Sequence, residues 1–459
     1  MSNQETPSQL PSYITSATPN PTANRAPWYK NTAPTYAGIF LWFAFWDSMS
    51  ANGLTTGGLG AVLLGIVVGG IICHFLFYLI PGLFGLKTGL PLYVVGTSTF
   101  GAVGGLIMPG FLMGVLQFGW LAVNTFYSSQ ALADGLTVPG LFYPLCIVWA
   151  LGAAFVGLKG IQYVAKVATY LPVIPLVVLL VGLVLFAGSA GDYSPAPTVV
   201  APAVVASGGG GFKAALAMIA AIVGFFATAG AAGVDFGTNS RDKRDVSLGG
   251  IVGIIIAIVF TAGISVIAVA GARAAGVVGA EEDAVKMTFA LKKKVPEGAY
   301  ALIMIGLTLA SFPGACFSSF IAANSFKTVM PKVNPFLSVG IGAIVSILLA
   351  VTGWAGNLGS VFGLIGASFG PICGAMAVDY LLNNGEWSGP RAGFNPAGWI
   401  SWALGFIVGI LPNQLLPASI RVEGIPCAPV AAFVVGAVVY FLCAKAGMLS
   451  PLVPMPAKK

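Results

Sequence analysis

The chain has 459 residues, 57% of them hydrophobic and only 8% charged, with a mean hydropathy of +0.92. Soluble domains are about a quarter charged, so this composition excludes a soluble globular protein and points to an integral membrane protein. The net charge of +7 then reports membrane topology rather than nucleic-acid binding.

Residues 1–34 are polar and proline-rich, with no apolar h-region after a charged start. They are predicted to be a disordered cytoplasmic tail rather than a signal peptide. From there, apolar stretches fill the chain, as in PLVVLLVGLVLFAG (175–188) and GIVGIIIAIVFTAGISVIAVAGA (250–272). These are helix-length runs, not the roughly ten-residue alternating segments of an outer-membrane barrel. Twelve spans are predicted, at 36–56, 59–83, 103–133, 140–158, 161–187, 212–236, 247–275, 298–326, 335–354, 358–382, 396–416 and 426–446. An even number puts both termini on one side. Placing them in the cytoplasm puts most of the 21 Lys and Arg residues inside, as the positive-inside rule asks. The exception is AEEDAVKMTFALKKK (280–294), between spans 7 and 8. It reads as a short surface amphipathic helix.

The Pro/Ala/Gly-rich stretch 188–211 is a flexible extracytoplasmic loop. It separates a first group of five spans (35–187) from a second (212–382). Two additional spans (383–446) and a cytoplasmic tail (447–459) follow. Span 1 carries FAFWDSMSANGLTTGG (43–58) and span 6 carries VGFFATAGAAGVDFGTNS (223–240). Each sets aromatics before a small, polar, glycine-containing stretch with one aspartate. Paired Gly-interrupted spans at corresponding positions point to a transporter site at the midplane, so span 1 is expected to break near Trp46–Asn52 and span 6 near Phe226–Gly233. Asp47 is a carboxylate within a span, a functional-site hypothesis by default. It is open as a proton carrier, a Na⁺ ligand, a substrate acceptor or a cap for a broken helix end.

Span 3 contains MGVLQFGWLAVNTFYSS (113–129), in which Gln117, Trp120 and Asn124 fall at i, i+3 and i+7. That spacing stacks a flat π surface between two amides on one helical face, a binding stripe for a planar polar ligand. Span 8, GLTLASFPGACFSSFIAANSF (306–326), aligns Thr308, Ser311, Ala315 and Ser318 as a stripe of small and hydroxyl residues. Asp235 and Asp379 fall near the cytoplasmic ends of spans 6 and 10 and read as gate or fold contacts. The six cysteines show no metal spacing, there is one histidine, and no HExxH, GxSxG or P-loop motif occurs. No metal site, no cofactor and no enzyme are expected. A monomer or weak homo-oligomer in the plasma membrane is expected.

Taken together, FWDSM in span 1, QFGWLAV in span 3, VGFFATAG followed by VDF in span 6, and GPICGAMAVDYLLNN in span 10 resemble the nucleobase:cation symporter-1 family. The resemblance implies an all-α polytopic protein of twelve transmembrane helices with the leucine-transporter-type fold: two inverted five-helix repeats plus two helices, with helices 1 and 6 broken. It implies symport of a nucleobase or related heterocycle with H⁺ or Na⁺ by alternating access. Carried over residue by residue, it implies a substrate sandwiched between Trp120 and Phe226, with Gln117 on the base edge and Thr228 as a second polar contact. Phe225 stands where the family's cytosine carriers have a serine. For the cation, it implies span-1 backbone carbonyls, here at Phe45, facing the span-8 hydroxyls Thr308 and Ser311. Phe312 replaces one expected hydroxyl, and Pro313 frees the Leu309 carbonyl. Two alternatives stand beside a nucleobase: a cationic heterocycle such as thiamine with Asp47 as counter-ion, and an amino acid, whose carboxylate Asp47 would repel.

Overall fold

In lipid, every backbone N–H and C=O must find its partner within the protein, and this chain meets that demand with helices. The computed structural model describes residues 10–195, 210–279, 285–422 and 424–455. Among them the only β pairing is two isolated bridges, Ala26 with Ser240 and Arg391 with Leu452. In chain order the main helices are α1 (Thr32–Phe40), α2 (Phe43–Thr56), α3 (Leu59–Thr88), α4 (Leu106–Gly135), α5 (Pro139–Lys159), α6 (Val173–Asp192), α7 (Gly210–Ala231), α8 (Gly233–Gly237), α9 (Lys243–Ala274), α10 (Met287–Lys294), α11 (Glu297–Val329), α12 (Pro335–Val351), α13 (Leu358–Leu382), α14 (Pro396–Ile410) and α15 (Ala428–Lys445).

Nine of these (α3, α4, α5, α6, α7, α9, α11, α13 and α15) are long and apolar enough to cross a bilayer. The shorter apolar α12 and α14 and the α1–α2 pair occupy the places of predicted spans 9, 11 and 1. The architecture is therefore an all-helical, multi-pass membrane fold. Its outward faces carry bare aliphatics: Val184 is 84% exposed and Leu302 72%. In water such surfaces would be a liability; against acyl chains they are the expected coat. Predicted span 5 is divided into Ile161–Ala168 and α6. Most of the 188–211 loop lies outside the described residues.

Both interrupted spans are interrupted, though span 1 not where its composition suggested. α1 ends at Phe40 with Leu41 as its cap, Trp42 is extended (φ −66°, ψ 124°), and α2 then runs unbroken through the whole polar stretch to Thr56. Polar side chains of α2 are taken up by partners, and the helix runs on through them. Ser50 Oγ lies 2.6 Å from Ser265 Oγ in α9. Asn52 Nδ2 donates to the Ser48 carbonyl at 3.0 Å and Thr55 Oγ1 to the Ala51 carbonyl at 2.6 Å. In span 6 the interruption is one residue, Ala232, between α7 and α8. The short α8 lies against α3 through glycines on both sides: a Cβ on Gly85 would sit 1.8 Å from the Val234 carbonyl oxygen, and one on Gly237 would sit 2.0 Å from that of Gly82. No larger residue fits at that crossing.

The expectation of a disordered segment over 1–34 does not hold for residues 10–31. A helical turn at Ser12–Thr15 buries Ile14 completely and Leu10 nearly so. The Tyr13 hydroxyl donates to the Ala102 carbonyl. Asn20 Nδ2 donates to the Thr238 carbonyl and to Asn239 Oδ1, both at 3.0 Å. Arg25 Nη1 donates to the Leu86 carbonyl at 3.1 Å, and the Trp28 N–H to Asp245 Oδ1 at 3.2 Å. The strap thus joins the α3–α4 connection to the α8–α9 connection. Polar, proline-rich composition favours disorder only if the segment has nothing to bind, and here other loops supply the acceptors. The C-terminal residues dock on the same face, with Arg391 Nη1 donating to the Ser450 carbonyl at 3.0 Å and Val453 N–H to that of Pro390 at 2.8 Å.

Placing a charge in the Ile14 socket removes apolar burial and buries an unpaired carboxylate. Ile14→Asp is expected to destabilise by about 2–5 kcal/mol, and Tyr13→Phe by about 1 kcal/mol. Thermal unfolding of the purified protein checks both, and an unchanged midpoint for Ile14→Asp would show that the strap is not docked.

Candidate functional site

The predicted stripe on α4 meets the two interrupted spans and α13 at an aromatic cluster. Trp120 packs edge-to-face on Phe225 of α7 (centroids 5.1 Å apart, interplanar angle 82°) and lies 6.0 Å from Phe362 of α13 at 36°. Phe225 and Phe362 meet at 5.3 Å and 84°. The Trp120 indole N–H donates to Thr228 Oγ1 at 3.3 Å, one helical turn from Phe225. Trp42, the residue at the span-1 interruption, closes the group at 6.4 Å from Trp120 and 6.2 Å from Tyr127, edge-to-face with both. Sequence reading missed Trp42 and Phe362. Both sit in otherwise ordinary apolar runs, and only the three-dimensional crossing of four helices marks them.

The structure divides the predicted residues. Trp120, Phe225 and Thr228 meet directly. Gln117 is buried (7% exposed) one turn from Trp120, and among the described residues its amide makes a single hydrogen bond, a 3.6 Å contact from Nε2 to Met113 Sδ. It is the least committed polar group on the stripe. Phe226 turns away from Trp120: it packs on Tyr36 (5.6 Å) and Phe40 (6.0 Å, 25°) of α1. Consecutive helix residues project about 100° apart, so only one of Phe225 and Phe226 can face α4. Asn124 is also occupied. Its Nδ2 donates to the Ser311 carbonyl at 3.2 Å, and its Oδ1 accepts from Trp149 Nε1 at 3.0 Å and from Ser128 Oγ at 3.3 Å. It fastens α4 to α5 and α11.

The residues expected at a cation site are more dispersed. The Phe45 ring packs on Phe225 at 4.6 Å and on Phe40 at 5.3 Å. Ser311 Oγ donates to the Leu307 carbonyl at 2.9 Å, and Thr308 Oγ1 to that of Ser128 at 3.4 Å. Each hydroxyl keeps lone pairs for a further contact. Among the described residues, no group of His, Cys, Asp and Glu has the arrangement of a metal centre.

Asp47 is buried, and α10 claims its carboxylate. Oδ1 accepts the Met287 N–H at 2.9 Å and the Thr288 N–H at 3.2 Å, and Oδ2 accepts the Thr288 hydroxyl. This is a helix cap supplied from another segment: the first amides of α10 have no intrahelical acceptor, and a carboxylate there also meets the positive end of the helix dipole. At the far end of α10, Lys292 pairs with Asp134 at the end of α4, which also accepts the Tyr300 hydroxyl at 2.5 Å. The two remaining acids fasten the face that carries the termini. Asp235 Oδ1 accepts the Leu92 N–H at 3.0 Å. Asp379 accepts from Ser98 Oγ (2.6 Å), Tyr440 Oη (2.9 Å), Thr99 Oγ1 and Asn383 Nδ2 (both 3.2 Å), with Arg391 Nη2 4.0 Å away.

Residues 19–436 match a family described as permease for cytosine/purines, uracil, thiamine, allantoin. No curated protein matches the chain. Among solved structures, the inward-facing conformation of Mhp1 shares 18% identity, covering 97% of each chain, with a TM-score of 0.66. Mhp1, a nucleobase-cation-symport-1 family transporter, in a closed conformation with bromovinylhydantoin bound shares 17%, covering 96% of this chain and 98% of that one, with a TM-score of 0.61. A Na⁺-coupled sialic acid symporter in a substrate-bound outward-open state shares 14%, covering 96% and 93%, with a TM-score of 0.58. At these identities the likeness is one of fold, and the fold is the leucine-transporter type.

Removing the Asp47 cap leaves two buried amides and a hydroxyl without their acceptor. Asp47→Ala is expected to lower stability by about 1–3 kcal/mol and to raise amide hydrogen exchange over 287–291. Asp47→Asn, which keeps one acceptor oxygen, should lose less. Equal exchange in wild type and Asp47→Ala would remove the cap from consideration.

Proposed function

Because the chain belongs to the family of permeases for cytosine and purines, uracil, thiamine and allantoin, we propose that it is a secondary transporter that carries a neutral planar heterocycle of the nucleobase class together with a cation, H⁺ or Na⁺, by alternating access across the plasma membrane, with both termini in the cytoplasm. The observation that carries this reading is the aromatic cluster around Trp120, bordered by the uncommitted Gln117 amide and the Thr228 hydroxyl. A nucleobase has two π faces and an edge of donors and acceptors, and the cluster offers one complement for each. Aromatic stacking contributes about 1–3 kcal/mol per base, while each unmatched polar group in a dry pocket costs about 1–3 kcal/mol. The faces therefore supply affinity and the edge sets specificity.

A heterocycle held between two rings keeps each about 3.5–4 Å from its own plane, which asks for walls roughly 7–8 Å apart. Trp120 and Phe225 stand at 5.1 Å and nearly perpendicular. Loading therefore requires Phe225 to rotate away from the Trp120 face, and Phe225 rather than Phe226 is the ring that lines the substrate. Phe226 serves as the wall behind it, against α1. For the cation, the reading keeps the Phe45 carbonyl with the Thr308 and Ser311 hydroxyls.

A cationic substrate such as thiamine would draw its counter-charge from Asp47. The three hydrogen bonds from α10 to that carboxylate support a neutral substrate, with Asp47 holding the outer loop helix in place.

The test is thermal stabilisation of the purified protein with cytosine, uracil, adenine, hypoxanthine, allantoin, hydantoin, thiamine and several amino acids, each with and without Na⁺. A ligand at 100 times its Kd should add about 2.7 kcal/mol. At least one neutral heterocycle should shift the midpoint, and Trp120→Ala should abolish that shift. A response confined to amino acids or to thiamine would overturn the reading.

A further inference from the structure

We propose that Trp42 is a specificity-determining residue of this site. Its indole N–H would donate to a ring carbonyl on the heterocycle and so favour lactam-bearing ligands over analogues without an oxo group. The proposal rests on the reading above and adds the edge chemistry that the site selects.

The first observation is an unmet hydrogen bond. A buried indole N–H ordinarily finds an acceptor, and in this protein most do. Trp120 donates to Thr228, Trp149 to Asn124 Oδ1, Trp387 to the Val95 carbonyl, Trp399 to that of Phe100 and Trp402 to that of Ser368. Trp42 Nε1 is buried and has no partner. Leaving such a donor unpaired in a buried site is unfavourable, and a ligand acceptor would relieve it on binding.

The second observation is position. Trp42 is the extended residue at the span-1 interruption, and its ring meets both Trp120 and Tyr127 edge-to-face. The orphaned donor thus belongs to the ring that borders the proposed stacking site. Trp46 is the other tryptophan with an unpaired N–H, but its ring makes no aromatic contact with Trp120 among the described residues. It lies within α2, where its carbonyl is taken up by Ser50 and Ser265.

The third observation is the short inventory of polar groups beside the cluster. The Gln117 amide donates or accepts, and so does the Thr228 hydroxyl; neither by itself separates a carbonyl from an amino group. An indole N–H is donor-only, so it discriminates in one direction. A ring oxygen satisfies it, an exocyclic amino group does not, and a bare C–H leaves it unpaired.

The experiment compares two ligand pairs that differ by one oxo group, hypoxanthine with purine and pyrimidin-4-one with pyrimidine, on full-length wild type and Trp42→Phe. Kd is read by calorimetry, with thermal unfolding of each variant as a folding control. Trp42→Phe should weaken the oxo ligands about 10-fold or more and leave their oxo-free partners within about twofold. Trp42→His, which keeps a ring N–H, should restore part of the preference. An equal loss for both members of a pair, or no loss, overturns the role of the N–H. Should neither variant fold, wild type decides: tighter binding of the oxo member supports the proposal, and equal binding overturns it. If wild type binds no heterocycle at all, the functional reading fails instead, so the two failures are distinguishable.

Discussion

The site depends on one turned residue. A membrane helix cannot be opened freely, because each released N–H or C=O loses a partner that lipid does not replace. At Trp42 the chain swings from α1 to α2 with little loss. The Leu41 N–H still reaches the Ala37 carbonyl at 3.1 Å, and the Trp42 carbonyl accepts from the N–H groups of Phe45 and Trp46 at 3.0 and 3.4 Å. The interruption is packed against the Trp120 and Tyr127 rings rather than against acyl chains. This swing carries the Trp42 ring to the edge of Trp120. A straight span 1 would project the ring along a regular helical face. The Ala232 interruption is comparably small, and the glycines at the α3–α8 crossing hold α8 in register. Two one-residue deviations therefore suffice to build a polar-edged aromatic site inside an apolar bundle.

The same economy governs the ends of the bundle. Toward α10, the ties are Asp47 on the α10 amides and Asp134 on Lys292 and Tyr300. Toward the termini, they are Asp235, Asp379 and the N-terminal strap. Both sets are built mainly of small clusters of hydrogen bonds between separate segments, to which the strap adds the buried Ile14. A few kcal/mol of polar contact of this kind can be exchanged for water at the membrane surface. An interdigitated apolar core resists small displacements far more strongly.

Much of this was legible in the sequence. Composition gave the membrane class, run lengths marked the nine long apolar helices among the described residues, and the resemblance gave the fold type. The Gln117–Trp120 spacing put both residues on one helix, one turn apart. What was not legible has common physical causes. The polar content of Trp46–Asn52 suggested unwinding, but whether a polar side chain breaks a helix depends on partners outside its own segment. Ser265 and α10 supply those partners. Asn124 shares the azimuth of Gln117 at i+7, but one turn further along Trp149 and Ser311 reach it first. The identity of the ring that faces Trp120 turns on the rotation of α7, and Phe225 and Phe226 are equally aromatic as letters. The N-terminal strap has the composition of a disordered segment and the hydrogen bonds of an ordered one. Composition describes what a segment can do alone, not what binds it.

On the proposed reading, Phe225 and Trp42 together would set what kind of selectivity this site can have. A serine at position 225 would bring a second polar contact to the substrate edge; phenylalanine brings area and no polarity. The aromatic cluster has few polar groups beside it, and their commitments differ. Thr228 already accepts from Trp120, Gln117 is held only by a long contact to sulfur, and Trp42 is unpaired. A ligand that binds must repay the desolvation of the uncommitted groups more than that of the committed one. On the proposed reading, discrimination would be greatest at Trp42, smaller at Gln117 and least at Thr228. A site with this ordering would tolerate variation around most of a planar ring and be strict at one oxygen.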